Sequence, residues 1–349
     1  MYQNIHMKIL FITLILASSV FSQKLELVHK DEGVIWGMDF VDDNKIVYTL
    51  RDGRAKLLDL KTKKAKAINH PKVEAVGQGG LLDVLFHKHN GKEYLYFSFS
   101  EKTKEKKVVT SLARGEWDGT QVKNLKTIFS SNAHSDTTRH FGSRIVIMED
   151  QLFLTVGDRG ERDEAQKVTS HNGTVLRMKI DGSPYPGNPF KKNPYVFSYG
   201  HRNPQGMDIK DGKLFTAEMG PRGGDELNII EKGNNYGWPE ITYGKEYWGP
   251  SIGKEKKEGM EQPLINWTPS ISPSGMAFYT GDKIKKWKGD LFIGCLSGEQ
   301  VRRIDFEDGK VKSQRPLFED KDERFRDVLN GADGSLYLST DSGKIFRVN

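Results

Sequence analysis

Residues 198–209 read SYGHRNPQGMDI, and within them Gly200, Pro204 and Gly206 can be explained by the backbone angles of turns. His201, Arg202, Asn203 and Gln205 cannot. A fixed guanidinium beside an amide donor suits stabilisation of negative charge on an oxygen from which water is excluded. The plain alternative for Arg202 is a pairing with a neighbouring acid. Pro204 would stiffen the presentation of Arg202 and Asn203, His201 reads as a brace for its loop, and Gln205 as architecture. A second histidine, His140, stands in RHFGSR. An imidazole with pKa near about 6.5 is able to accept a proton from a hydroxyl, although a hydrogen-bonded loop histidine looks the same in sequence. Arg324 and Arg326, two apart in RFRD on an extended stretch, face the same side. They could form a cationic fork for acid groups or a solvent-facing basic pair.

Several other chemistries lack their residues. GPSIG at 249–253 is not framed by the apolar strand and helix of a GxSxG nucleophile elbow, there is no GxxxxGK[ST] and no HExxH, and GQGGLL lacks the last glycine of a dinucleotide fingerprint. In DRGERDEAQ the acids and glycine are misplaced for a calcium EF-loop. Formal charge is +6, but the lysines alternate with acids, as in EKTKEKK and GKEKKEG. These read as solvated hairpin tips and not as a nucleic-acid surface. Cys295 is the only cysteine, so neither disulfides nor cysteine-ligated zinc contribute.

The chain opens with Lys8, an apolar run from Ile9 to about Ala17, and small residues before a cut after Ser22. This is the layout of a secretory signal over 1–22, too short for a membrane span, with Met1 to His6 as an upstream extension. No later stretch reaches about 18 uncharged apolar residues, so the expectation is a soluble periplasmic or secreted protein without a membrane span.

The elements that must position the polar sites come from a recurring phrase: a glycine-containing entry, a strand, a polar turn, then an apolar strand. Six copies occur, at 36–50, 80–100, 141–157, 205–220, 274–294 and 326–340. Alternation in KLFTAE and SLYLST and the DG and NG pairs mark strands and hairpins. GRAKLLDL, GTVLRMKIDG, EQVRRIDFEDG and SGKIFRVN supply further strands. The pattern predicts an all-β, six-bladed β-propeller with four-stranded antiparallel blades, one domain over 23–349 and roughly 55 residues per blade. KLELVH would close the ring beside the last strands, since an unpaired blade leaves an exposed edge. Long loops are expected at 158–172, 183–200 and 221–272. The polar groups GQGG, RHFGSR, HRNPQG and RFRD share one phase of the repeat, just before a first strand, so they should converge at one end of the central channel.

RHFGSR, LTVGDRG, SYGHRNPQGM, AEMGPRGGDELN, GNNYGWP and RFRD together resemble the soluble pyrroloquinoline-quinone (PQQ) dependent aldose sugar dehydrogenases, the glucose/sorbosone dehydrogenase group, from about Val34 to Asn349. That resemblance implies a six-bladed propeller that oxidises aldoses at C1 to lactones in the periplasm. His140 would be the general base and Arg202 the electrostatic stabiliser with Asn203, while Arg324 and Arg326 hold the cofactor's acid groups. Gln78 and Tyr247 would add a hydrogen bond and a ring contact. It also implies calcium: one ion on the backbone carbonyls of Gly220 and Pro221, polarising the reacting carbonyl, and a structural ion on Glu226 and the carbonyl of Tyr236. Glu226 also reads as an ordinary turn acid. His134, His171 and His201 lack the matching context.

One departure is visible. The group usually carries a lysine after the strand FIGxL, where this chain has Ser297. A binding propeller without catalysis and a calcium-dependent lactonase are the competing readings. The lactonase would need several acidic metal ligands. The electron acceptor is not encoded in these motifs, and monomer and homodimer fit equally.

Overall fold

The computed structural model describes residues 23–307 and 309–349, so the export signal expected over 1–22 lies outside the described residues. Six four-stranded antiparallel sheets, as anticipated, are arranged in a ring. Blade 1 comprises Ile35–Asp42, Lys45–Leu50, Arg54–Asp59 and Lys64–Ala67, and blade 2 Leu81–His89, Lys92–Lys102, Val108–Trp117 and Val122–Ser130. Blade 3 runs through Ile145–Met148, Gln151–Val156, Thr174–Lys179 and Val196–Tyr199. Blade 4 is Pro204–Lys210, Lys213–Glu218, Asp225–Ile230 and Ile265–Trp267, and blade 5 Pro273–Phe278, Leu291–Cys295, Gln300–Glu307 and Lys310–Leu317. Blade 6 takes Phe325–Asn330, Leu336–Thr340 and Lys344–Val348 from the C-terminus and its outer strand, Leu25–Lys30, from the N-terminus, with Leu25 opposite Val348 and Lys30 opposite Lys344. The six repeated phrases are the two inner strands of the six blades.

First strands of successive blades pack against one another around the axis, and the last meets the first. The glycine at the head of the repeat permits that approach: a Cβ on Gly206 would lie 2.4 Å from the Ser274 carbonyl oxygen in the next blade. The core lies between blades. Phe215 of blade 4 packs on Phe278 and Phe306 of blade 5 with ring centroids 5.0 and 6.0 Å apart. For this reason KLFTAE and SLYLST are buried almost throughout, although their alternation suggested one solvated face. Second strands are covered by a neighbouring blade on each side.

Two expected loops contain blade strands. The 183–200 segment ends in Val196–Tyr199, and 221–272 includes Asp225–Ile230 and Ile265–Trp267. These three strands have four, six and three residues, and the shortest carry too little periodicity to stand out between irregular approaches. EKTKEKK is an exposed hairpin turn as expected, whereas GKEKKEG is an exposed irregular segment within the long excursion of blade 4.

Acidic residues in the first strands tie blades together. Asp39 accepts the Phe86 amide of blade 2 at 2.7 Å and Asp208 the Phe278 amide of blade 5 at 2.7 Å. Burial pushes the Asp39 carboxyl up to about 7 and Asp208 up to about 6. Carboxyls of the unfolded chain release their protons near pH ~4. The folded protein therefore holds more protons between about pH 4 and 7, and its stability falls as pH rises through that window. The melting temperature should be lower at pH 8 than at pH 5, and Asp39→Asn combined with Asp208→Asn should flatten the fall. An undiminished fall in the double variant excludes these carboxylates as its source.

Candidate active site

The four polar groups that share the repeat phase do converge. A cavity of about 400 Å³ at one end of the ring is lined by Gln78, His140, Arg202, Asn203, Gln205, Arg324 and Arg326, together with Gly220, Pro221 and Tyr247. Every first strand starts at this end, and in an antiparallel hairpin every second strand finishes there. The second-strand exits supply lining residues that the sequence reading missed: Arg51, Met219, Leu296 and Asp341. A signal for them exists in sequence, since each stands just after a blade's second strand.

His140 is buried, and its ring is held from behind. Asp158 Oδ1 lies 2.6 Å from His140 Nδ1, and the same carboxylate accepts the Gly160 amide at 2.7 Å and the Trp238 indole N–H at 2.7 Å. Burial alone would raise the Asp158 carboxyl, but the His140 hydrogen bond, the nearby Arg202 charge and the Gly160 amide hold it below the ordinary carboxylate range. An ionised Asp158 fixes the proton on Nδ1 and leaves Nε2, which has no protein partner among the described residues, as a lone pair on the cavity side. Burial pulls the imidazolium pKa down, Arg202 adds to that, and Asp158 opposes both; the net shift is downward. The His140 imidazole is therefore neutral at neutral pH. Nothing local in LTVGDRG marks Asp158 for this contact.

The backbone at His140 is left-handed, with φ +56°, a conformation uncommon for a residue with a side chain. Two contacts hold it. Gln78 Oε1 accepts the His140 amide at 2.8 Å. Gly157 lets the turn sit close, since a Cβ there would lie 2.1 Å from the His140 carbonyl oxygen. Gln78 thus lines the cavity and holds His140 in this turn.

Arg202 reaches the cavity from the entry to the adjoining blade 4. Its Nη1 donates to the carbonyls of Met219 and Gly220, each at 2.8 Å, and Nη2 lies 3.5 Å from the Tyr247 hydroxyl. Its own amide donates to Glu218 at 2.7 Å, and its carbonyl accepts the Asp158 amide at 2.7 Å, so one backbone step couples it to the histidine's support. Among the described residues no carboxylate forms an ion pair with its guanidinium, so the simple ion-pair reading of Arg202 does not describe it. Asn203 accepts the Gly142 amide at 3.2 Å while lining the cavity. His201 is buried, with Nδ1 3.0 Å from Glu218 and its ring stacked on Tyr236 at 4.7 Å, which is the bracing arrangement expected for it.

Arg324 and Arg326 do face one side. Arg326 is buried and donates to both oxygens of Asp341, at 2.8 and 3.0 Å, and to Gln205 Oε1 at 3.0 Å. Arg324 is half exposed at the rim, bonded to Asp341 at 3.0 Å and to the Leu296 carbonyl at 2.9 Å. Four arginines line the cavity against one acid, Asp341, so it carries a net positive charge. Ser297 lies outside this lining, with its hydroxyl 2.8 Å from that of Ser272.

Behind Arg202 is a second, small cavity of about 10 Å³ lined by Glu218, Glu226 and Tyr236, with room for about one small ion or water. Burial and the neighbouring Glu218 push the Glu226 carboxyl up to about 8. Among the described residues there is no group of three or more His, Cys, Asp or Glu side chains placed to hold a metal, the arrangement the lactonase reading requires. No helix among them is long and apolar enough to cross a membrane.

A sequence profile described as glucose/sorbosone dehydrogenase matches residues 33–347. The chain belongs to the glucose/sorbosone dehydrogenase family. Within that family it is 37% identical over 331 residues to the aldose sugar dehydrogenase YliI of Escherichia coli K12, covering 90% of this chain and 89% of that protein. The crystal structure of the soluble aldose sugar dehydrogenase of Escherichia coli in its apo form superposes with a TM-score of 0.90 at 34% identity, covering 94% of this chain and 99% of that one. The PQQ-bound form of the aldose sugar dehydrogenase of Streptomyces coelicolor gives 0.80 at 28% identity, covering 94% and 98%. Family membership accounts for the chain as a sugar dehydrogenase of the quinoprotein type, and the dyad of His140 and Asp158 lies at the mouth where the ring's six hairpins meet.

Proposed function

We propose that this protein oxidises aldoses at C1 to lactones with PQQ and calcium, outside the cytoplasm, passing electrons to a separate carrier. The supporting observation is His140 Nε2, unpartnered by protein and facing the arginine-rich cavity, with its proton fixed on Nδ1 by Asp158. The residues suit a flat polyanionic cofactor. Arg51, Arg202, Arg324 and Arg326 line the cavity against one carboxylate, and Arg324 at the rim retains N–H groups beyond its two contacts. When bound, PQQ supplies an electrophilic quinone carbon that accepts the hydride from C1 of the sugar.

The chain's own residues do the rest. His140 Nε2 takes the proton of the C1 hydroxyl, so the sugar loses a proton to the imidazole and a hydride to the cofactor, and C1 becomes a lactone carbonyl. Arg202, with Asn203, balances negative charge that develops on oxygen, in a site where two carbonyls and Tyr247 already fix its guanidinium. Gln78 holds the base in its left-handed turn, and Tyr247 offers a ring at the rim. Carbonyl oxygens are hard donors suited to calcium. Gly220 and Pro221 would hold one ion at the cavity wall, and Glu226 with the Tyr236 carbonyl a second in the small acidic cavity.

The test is reconstitution. Purified protein given PQQ and calcium should gain the cofactor's absorbance and reduce an artificial dye with at least one aldose. Binding of a sugar without turnover in the PQQ-loaded protein would favour the binding-propeller reading, and lactone hydrolysis without PQQ the lactonase.

A further inference from the structure

Beside the central cavity is an open groove of about 720 Å³ that shares Pro221, Tyr247 and Ser272 with it. Its lining holds two cations, Arg222 and Lys245, and the hydroxyls of Thr268, Ser270, Ser272 and Ser297, but no aspartate or glutamate. Neither cation forms an ion pair among the described residues, and the one side-chain contact of Arg222 is a 3.3 Å hydrogen bond to the Tyr247 carbonyl. This is unlike the neighbouring part of the same excursion, where Lys257 meets Glu240 at 2.9 Å. Tyr247 is 64% exposed and Trp248, between the lining residues Tyr247 and Gly249, is 75% exposed. They are two of the four large hydrophobic side chains that are exposed among the described residues, and they are adjacent in sequence.

We propose that this groove binds the second unit of an oligosaccharide whose reducing-end sugar is oxidised in the central cavity, and that this second unit carries a carboxylate. The proposal rests on the reading of the central cavity as the site of sugar oxidation and adds the substrate class. A pyranose has apolar C–H faces that suit an aromatic wall and hydroxyls that suit the row of serine and threonine oxygens. Those features would accept any second sugar. Arg222 and Lys245, uncompensated by an acid, select the anionic one by charge complementarity, and they do so with the sugar's C1 still directed past Tyr247 towards His140. The hydroxyl of Ser297, bonded to that of Ser272 at 2.8 Å, forms part of the groove wall.

The experiment compares the PQQ- and calcium-loaded protein with its R222A/K245A variant on two substrates: a hexuronic acid linked to a reducing hexose, and the neutral disaccharide of the same linkage. The wild type should favour the acidic disaccharide by about tenfold in kcat/KM at low salt, and the preference should shrink at about 0.5 M salt, where charges are screened within about 4–5 Å. The variant should lose the preference while oxidising the neutral disaccharide within about twofold of the wild-type rate. A binding titration of the acidic disaccharide into both proteins, each also carrying His140→Asn, reads the groove without turnover. Heat that vanishes in R222A/K245A supports the proposal even if no sugar is oxidised, an outcome that would defeat the dehydrogenase reading alone. Equal kcat/KM for the two disaccharides in the wild type, a preference that survives the double substitution, or a loss of PQQ affinity in its place overturns it.

Discussion

His140→Asn should lower kcat by about 10²–10⁴-fold, the usual range for removing a positioned general base, while PQQ still binds with its normal absorbance. Asparagine is the informative replacement because His140 sits at φ +56°, and asparagine enters the left-handed region more readily than other side chains with a Cβ. A loss then reports on the imidazole and not on a collapsed turn. The companion variant is Asp158→Asn. All three of its partners, His140 Nδ1, the Gly160 amide and the Trp238 indole, are donors, and an amide offers only one acceptor oxygen. The histidine loses its fixed tautomer, and kcat should fall about 10²-fold or more.

The pH profile separates this role from mere support. With His140 as the proposed base, catalysis needs its neutral form, so kcat/KM should rise with pH along an acid limb set by its pKa, which burial and Arg202 hold below the ordinary value. Asp158 acts in the opposite direction, raising that pKa by its hydrogen bond and charge. Its removal should move the acid limb to lower pH even as the maximum rate falls. Dye-reduction rates across pH for the three proteins provide the check. Equal rates for wild type and His140→Asn would remove the assigned base, and a limb shifted to higher pH in Asp158→Asn would contradict the assigned electrostatics.

The propeller was legible in the sequence because its unit recurs: six glycine-led hairpins, each burying its second strand between neighbours, cannot vary without exposing core. The convergence of Gln78, His140, Arg202 and Arg326 followed from one phase of that unit. The other phase was overlooked. Arg51, Asp158 and Asp341 leave second strands at the same end, but they stand beside ordinary turn glycines, and a lone charged residue before a turn resembles a solvated one. Their partners are far along the chain: Asp158 meets Trp238 across 80 positions, and Asp341 pins arginines 15 and 17 residues earlier. Arg222 and Lys245 were hidden for the same reason. Their distinction is that, among the described residues, neither forms an ion pair and no aspartate or glutamate lines the groove they face, which no local pattern carries. The short strand Ile265–Trp267 escaped because three residues between irregular segments have no period to read.

Arg144 carries the largest stability effect expected in the molecule. It is wholly enclosed near the axis, with Nη1 2.8 Å from Asp83 and 3.0 Å from Asp327, Nε donating to the Gln205 carbonyl at 2.9 Å, and its guanidinium 4.6 Å from the Trp36 ring centroid. Asp83 also accepts the Ile145 amide at 2.8 Å and Asp327 the Met38 amide at 3.1 Å, so this one cation joins acids from blades 2 and 6 that each tie a further blade. Arg144→Met should cost about 3–5 kcal/mol, because two buried carboxylates are left without a counter-charge. In a chain of this size that corresponds to a melting temperature lower by roughly 4–7 °C. Burial already pushes both carboxyls upward against the pull of Arg144. Without the arginine they rise further, so the folded variant keeps protons that the unfolded chain has lost, and the deficit should be larger at pH 8 than at pH 5. Adding Asp83→Asn and Asp327→Asn should restore much of the loss, since no charge then remains to be buried. The effect should reach the site as well: Trp36 and Gln205 both line the cavity, and Gln205 holds Arg326. PQQ affinity in Arg144→Met should therefore fall even where the protein is fully folded. A variant that melts with the wild type at both pH values, or a triple variant no more stable than the single one, would show that the axial charge cluster does not hold the ring together.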